Sequence, residues 1–190
     1  LSELEEIFDL EGLNKSPAIF NMDKLNWFNA EYMRKLAPEA FLDVARPWLE
    51  KALDPRRFDI ARVAQLLQSR VEVLNQIPGM VDFLAAMPEY DAELYVNKKQ
   101  KSTPETSLAA LKSLRPVIEN VNPWTETAIH DALMEAVAAS GMKTGQALWP
   151  LRIALSGRMS TPGGAIEISW LLGREEALSR IDAAIKRLEA

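Results

Sequence analysis

The sequence contains no cysteine and a single histidine among 190 residues. Without cysteine there is no disulfide framework, no thiolate zinc site and no cysteine nucleophile. With His130 as the one imidazole, a serine–histidine–acid triad has a single available base, and no nucleophile motif accompanies it. A lone histidine in a helical pattern is expected to be solvated or satisfied locally. No cluster of His, Asp and Glu has metal-ligand spacing, so neither a catalytic nor a metal site is expected. Glycine is scarce, at eight residues, and no glycine-rich loop follows a strand pattern to cradle a phosphate. No apolar run approaches the ~18 residues of a membrane helix. The start, Leu1-Ser2-Glu3-Leu4-Glu5-Glu6, lacks methionine and resembles neither a signal nor a transit peptide. It reads as a cut made inside a longer protein.

What is present is apolar sequence, 48% of residues, and a net charge of −5. The length suits one large or two small domains with a real core. The acidic total leans away from nucleic acid, but its distribution reverses that inference. Residues 1–53 hold ten acidic and six basic side chains, whereas residues 54–101 hold seven of each. The second stretch carries Arg56, Arg57, Arg62, Arg70, Lys98, Lys99 and Lys101. Binding follows the local field rather than the sum, so a basic face is compatible with an acidic protein. The plain reading of such residues is a set of solvated helix faces.

Apolar spacing is helical almost throughout, with no convincing strand and no repeat. Ser2 and Glu5 form a capping-box pattern for a short helix ending at Gly12, and Asn14-Lys15-Ser16-Pro17 is a turn. Leu25, Phe28, Tyr32 and Leu36 predict one buried face. Phe41, Leu42, Ala45 and Leu49 predict the next, with Pro47 expected to kink or divide the helix. Ile60, Val63, Leu67, Val71 and Leu74 form a third stripe ending at Pro78-Gly79, followed by a short helix around 80–87. The polar stretch 88–102 is the best internal boundary. Ser102-Thr103-Pro104-Glu105 reads as a second capping box, leading into Leu108, Leu111, Leu114 and Ile118. Asn122-Pro123-Trp124-Thr125 starts a helix through Ile129, Leu133 and Val137 to Gly141. Residues 143–156 read as a helix interrupted by Pro150, residues 157–164 as a loop, and 165–172 and 174–189 as the closing helices. The class is all-α, about ten helices in two packed units. The five tryptophans, Trp27, Trp48, Trp124, Trp149 and Trp170, are expected to be inter-helix anchors rather than base-stacking platforms.

Two stretches carry a resemblance. One is Lys15-Ser16-Pro17-Ala18-Ile19-Phe20-Asn21-Met22-Asp23-Lys24-Leu25-Asn26-Trp27-Phe28-Asn29. The other runs from Ala154-Leu155-Ser156-Gly157-Arg158 through Thr161-Pro162-Gly163 to Leu171-Leu172-Gly173-Arg174-Glu175-Glu176-Ala177-Leu178. Both resemble the C-terminal part of bacterial glutamyl-tRNA synthetase, a class I aminoacyl-tRNA synthetase, and the likeness runs over essentially the whole chain in order. It implies the end of a stem-contact domain over about residues 1–35, a first helical anticodon-binding subdomain over 36–98, and a second over 99–190. The family's Rossmann catalytic domain, with its His-x-Gly-His and Lys-Met-Ser-Lys-Ser motifs, is not here. Lys98-Lys99-Gln100-Lys101-Ser102 matches the second motif only superficially, because it lies far downstream of the family position and its serine reads as a helix cap.

Within the resemblance, Arg70 matches the family arginine that contacts the first anticodon base. Read from residues alone, it is a solvated arginine at the edge of a helical stripe. The chemistry suits the role, since a planar fork of donors fits base acceptors better than lysine does. Family members with arginine at this position tend to exclude the glutamine anticodons, which leans toward a discriminating enzyme. Arg152 and the loop Thr161-Pro162-Gly163 match elements that meet the remaining anticodon bases, a threonine hydroxyl and free N–H groups at a turn being suitable donors. Gly164 departs from the pattern: it adds a residue where relatives place a bulky apolar group, and its role stays open. Taken together, the expectation is a tRNA(Glu) anticodon reader within a glutamate–tRNA ligase, cytoplasmic and monomeric, with neither DNA nor membrane as partner. ATP and Mg are implied only for the missing catalytic domain, and no cofactor is expected in this fragment. The alternative is a helical protein–protein interaction scaffold.

Overall fold

A computed structural model describes Glu5–Glu6 and residues 21–189. Among the described residues there are nine α-helices and no strand; the chain is all-α. The predicted first helix and the Asn14–Pro17 turn lie outside the described residues, apart from Glu5 and Glu6, which are helical.

Helix α1 (Met22–Lys35) starts at Asn21, whose side chain accepts the Lys24 N–H. Helix α2 (Pro38–Leu49) has proline at its first turn, where a missing N–H costs nothing. Pro47 does not divide it: the proline stands on an exposed face, where water can take the freed carbonyl. Helix α3 (Ile60–Gln68) is capped by Asp59 and buries Ile60, Val63, Ala64 and Leu67. The predicted continuation to Leu74 is corrected. The helix stops at Gln68, Val71 is buried in a non-helical segment, and a single 3-10 turn over Leu74–Gln76 leads into α4 (Ile77–Ala85). Pro78-Gly79 therefore opens a helix instead of ending one, as the fixed φ of proline favours.

After a second 3-10 turn, Ala92–Tyr95, α5 (Pro104–Asn120) begins. Its cap is Thr103, reciprocally bonded to Thr106, and not Ser102 with Glu105. Ser102 is buried instead, its hydroxyl 2.9 Å from that of Ser107. Helix α6 (Glu126–Ser140) is capped by Thr125 and ends at Gly141, whose φ of 70° is the left-handed conformation glycine accepts without a Cβ penalty. Helix α7 (Thr144–Ser156) runs unbroken through Pro150, held by buried Ala147, Leu151, Ile153, Ala154 and Leu155 around it. Packing on that face outweighs the one backbone bond that proline removes. Helices α8 (Ala165–Leu172) and α9 (Arg174–Glu189) match the expected bounds.

Helix α2 packs on α3 and α4, while α5 packs on α6, α7 and α9, with α8 against α6, α7 and α9. Helix α4 also meets α8. The buried residues form one continuous core, from Phe41, Leu49 and Leu67 to Leu111, Leu133, Leu155 and Ile181. Arg180 of α9 joins its parts. Its buried guanidinium donates to the carbonyls of Phe83 (2.7 Å) and Leu84 (3.2 Å) on α4 and of Leu155 (2.8 Å) on α7, and to Glu176 (2.7 Å).

Two expectations about side chains fail. Leu25, Phe28, Tyr32 and Leu36 are exposed, with Tyr32 at 71%, and α1 buries Ala30 and Met33 instead. The contacts of α1 come from the neighbouring face: the Asn29 side chain donates to the Glu72 carbonyl, and Gln68 donates to the carbonyls of Met33 and Leu36. Periodicity identified an apolar face, but no described element covers it. Of the tryptophans, Trp27 is exposed and packs edge-on against Phe28, while Trp48, Trp124, Trp149 and Trp170 are half-buried against the core.

Candidate nucleic-acid interface

The seven cations of residues 54–101 divide into two sets. Arg56 is paired with Asp54 (2.8 Å), Arg62 is bidentate to Glu126 at the start of α6 (2.7 Å), and Arg57 faces Glu176 at 3.9 Å. These charges are neutralised locally; Arg62 ties α3 to α6, and Arg57 ties the turn before α3 to α9. Arg70, Lys98, Lys99 and Lys101 are exposed and have no carboxylate partner among the described residues.

Arg70 lies just beyond the end of α3, in a turn whose N–H bonds reach back to Leu67. Arg152 is half-buried on α7, with its guanidinium 4.7 Å from the centre of the Trp149 ring. One turn apart, these two side chains share a helix face. Burial pushes the Arg152 guanidinium below its usual pKa, and the nearby charge of Arg70 pushes the same way. The two arginines taken from different parts of the sequence are thus within electrostatic reach of each other. Arg152 Nη2 donates to the Met159 carbonyl at 2.7 Å, and its Nε is buried without a partner among the described residues.

The loop after α7 starts at Gly157, with φ of 62°, and is braced by Arg158, which pairs with Asp82 at 2.6 Å and donates to the Gly79 carbonyl on α4. Thr161, Pro162 and Gly163 are buried, and Gly164 is exposed. The expectation of free donors at this turn needs correcting. The Thr161 hydroxyl donates to the Gly163 carbonyl, and the Gly164 N–H donates to Glu167 Oε2 at 3.0 Å. Glu167 thereby occupies the start of α8, where an anion would otherwise be favoured. Gly163 approaches α3 so closely that a Cβ there would lie 3.3 Å from Leu66 Cδ1 and 3.0 Å from Glu167 Cβ. The loop is therefore fitted against the helix that carries Arg70 at its end.

A cleft of about 230 Å³ opens between these elements, lined by Gln100, Gly145, Leu148, Trp149, Arg152 and Gly164, with Ala165 at its edge. The tryptophan could have been found in the sequence by its one-turn spacing from Arg152. Gln100 could not, because only the tertiary fold carries it to Gly145. His130 stands apart, exposed and 2.9 Å from its neighbour Asp131. Among the described residues no group of three or more His, Cys, Asp or Glu is arranged to hold a metal ion. No described helix is long and apolar enough to cross a membrane.

Comparison with known proteins decides the family. A family described as "Anticodon binding domain" matches residues 40–185. The chain belongs to that family. It is similar to the glutamate–tRNA ligases of Clostridium kluyveri (44% identity) and Clostridium acetobutylicum (42%), over all of this chain and 39% of either relative. The chain thus spans 39% of the length of the curated relatives it matches. Among solved structures, a glutamate tRNA ligase from Elizabethkingia meningosepticum, in complex with its amino acid, superposes with a TM-score of 0.77 at 26% identity, covering 98% of this chain and 36% of that one. The glutamate–tRNA synthetase of Elizabethkingia anophelis shares the fold, with a TM-score of 0.74 at 23% identity over 97% of this chain and 36% of that one. In this anticodon-binding fold, Arg152 and Gly164 line one cleft, while Arg70 lies outside its lining.

Proposed function

We propose that this chain reads the anticodon of tRNA(Glu) as the RNA-recognition part of a glutamate–tRNA ligase. The carrying observation is a tryptophan-lined cleft that holds Arg152, which has no carboxylate partner among the described residues and feels the like charge of Arg70. Two like charges held together with no anion are unfavourable, and RNA supplies phosphates and base acceptors that remove the penalty. An unpaired Arg152 Nε and the Trp149 face suit an unstacked loop base read on its edge. In this reading Thr161, Pro162 and Gly163 shape the loop from inside, and exposed Gly164 lies on the cleft. Arg70 reads the first anticodon base and excludes the glutamine triplets.

The same reading divides the chain into the end of a stem-contact domain (1–35) and two anticodon-binding subdomains (36–98 and 99–190). The packing of α2 on α3 and α4, and of α5 on α6, α7 and α9, supports it, although both sets share one core and meet where α4 touches α8. We place the protein in the cytoplasm as a monomer, with no DNA or membrane partner. Glutamylation itself, with its ATP and Mg, belongs to a catalytic domain outside this chain.

Fluorescence titration with anticodon stem-loops bearing the glutamate or glutamine triplet tests this. Arg70→Ala is expected to weaken cognate binding by roughly 1–3 kcal/mol, the range for a bidentate base contact. Equal affinities of variant and parent would remove Arg70 from the site, and a loss uniform over anticodons would make it a phosphate contact. The scaffold alternative draws on the exposed stripe of α1, with Trp27, Phe28 and Tyr32. A partner bound there through apolar contact would respond little to salt, whereas RNA binding weakens steeply.

A further inference from the structure

The cations without a carboxylate partner among the described residues include three that the arginine-centred reading does not use. Lys98, Lys99 and Lys101 crowd a tight turn closed by an antiparallel bridge between Asn97 and Ser102, both backbone bonds being 3.0 Å. The turn is built to hold its shape. The Gln100 N–H donates to Asn97 Oδ1 at 3.1 Å, the Lys101 N–H donates to the Lys98 carbonyl at 3.3 Å, and Ser102 is anchored to Ser107 in the core. Lys101 adopts a left-handed φ of 53°, which a side chain tolerates only where the surroundings require it. All three lysines are exposed.

The remaining residue of the turn, Gln100, places its side chain against α7. Gln100 lies so close over α7 that a Cβ on Gly145 would fall 1.7 Å from its Oε1, so this position in α7 is open only to glycine while Gln100 keeps its place. Gln100 thereby forms a wall of the cleft that contains Trp149, Arg152 and Gly164. Through Gln100 the lysine turn borders the cleft. Lysine is a compact, strongly hydrated point charge, fitted to phosphate oxygens and poorly suited to reading base edges. Phosphate contacts position a nucleic acid without specifying its sequence.

We propose that the Lys98–Lys101 turn is a phosphate clamp that holds the RNA backbone at the rim of the cleft while its bases are read inside. The proposal rests on the anticodon reading above and names a second, sequence-independent part of the same interface. It assigns the division of labour by residue type: arginine for bases, with Arg152 lining the cleft, and lysines beside it for phosphates.

The test compares the chain with its Lys98→Gln/Lys99→Gln/Lys101→Gln variant, titrated with the glutamate stem-loop and with one of scrambled anticodon over a series of salt concentrations. Three lost phosphate contacts, at ~0.7 each on unpaired RNA, should flatten the log–log salt slope by about 2. Affinity near 0.1 M salt should fall about tenfold or more for both stem-loops alike, with the thermal unfolding midpoint unchanged. Superimposable salt slopes for parent and variant would overturn the clamp, as would a loss confined to the glutamate anticodon. If the parent itself binds neither stem-loop, the anticodon reading fails and the clamp with it. If the parent binds and the variant matches it, the clamp alone fails.

Discussion

Arg180→Ala tests what holds the anticodon-binding fold in register. The guanidinium is 5% exposed and serves four oxygen acceptors, the carbonyls of Phe83, Leu84 and Leu155 and the Glu176 carboxylate, besides the Met87 sulfur. Phe83 and Leu84 lie in the last turn of α4 and Leu155 in the last turn of α7, where carbonyls have no donor within their own helix. A cation there also meets the negative ends of two helices. Alanine leaves up to three buried carbonyls unpaired, each costing ~1–3 kcal/mol, and water entering the vacated space restores part of that. Removal of one partner from a buried charged network typically costs about 3–5 kcal/mol, so a loss of about 4 kcal/mol is expected.

For a chain whose total stability is of order 5–15 kcal/mol, such a loss is large. At ~2–4 °C per kcal/mol for this size, the midpoint should drop by about 8–16 °C. Urea denaturation followed by tryptophan fluorescence and circular dichroism measures it directly. Arg180→Lys keeps the charge but reaches fewer of the four acceptors, and should fall between the parent and the alanine variant. A loss below about 1 kcal/mol for the alanine variant would refute the reasoning, because water would then be replacing the guanidinium at little cost. The functional consequence follows from position: Leu155 lies three residues beyond Arg152, so releasing the end of α7 loosens the arginine that faces the cleft.

Gly157→Ala places a Cβ at a φ of 62°, 3.0 Å from ring atoms of both Pro88 and Tyr90. A left-handed alanine alone costs ~1–2 kcal/mol, so we expect a loss of about 2 kcal/mol in urea unfolding together with weaker stem-loop binding; an unchanged midpoint would mean that the loop relaxes freely. The pair between Arg115 of α5 and Asp182 of α9, at 2.8 Å, holds the Asp182 carboxyl below its usual value, chiefly through the hydrogen bond from Arg115. A depressed carboxylate contributes stability above its unfolded pKa and loses it as pH falls through the lower folded value. Asp182→Asn should therefore be less stable at neutral pH by about 1 kcal/mol or less, the pair being partly exposed. The gap should close below the ordinary carboxylate range. A gap that persists in strong acid would assign it to packing instead of charge.

Helix positions were legible where a cap and a buried stripe agreed, as at Thr125–Gly141, because both signals are local in sequence. They misled where a neighbour decided the outcome. The apolar stripe Leu25–Phe28–Tyr32–Leu36 has the right period and no cover, and the stripe beyond Leu67 leaves the helix while Val71 stays buried. Ser102 looked like a cap and became half of a buried hydroxyl pair, since the capping geometry fell one residue later on Thr103.

The family likeness, the all-helical class and the arginines to examine can be read along the chain, since propensity, capping and periodicity operate over a few residues. The fate of each charge cannot. Arg62 and Arg70 stand eight positions apart with the same chemistry, yet one is locked to Glu126 while the other has no carboxylate partner among the described residues. That difference depends on which helix end packs alongside, and electrostatic energy falls off with distance in space, not in sequence. The cleft itself is likewise a product of packing, made when the lysine turn, α7 and the start of α8 were brought together around Arg152.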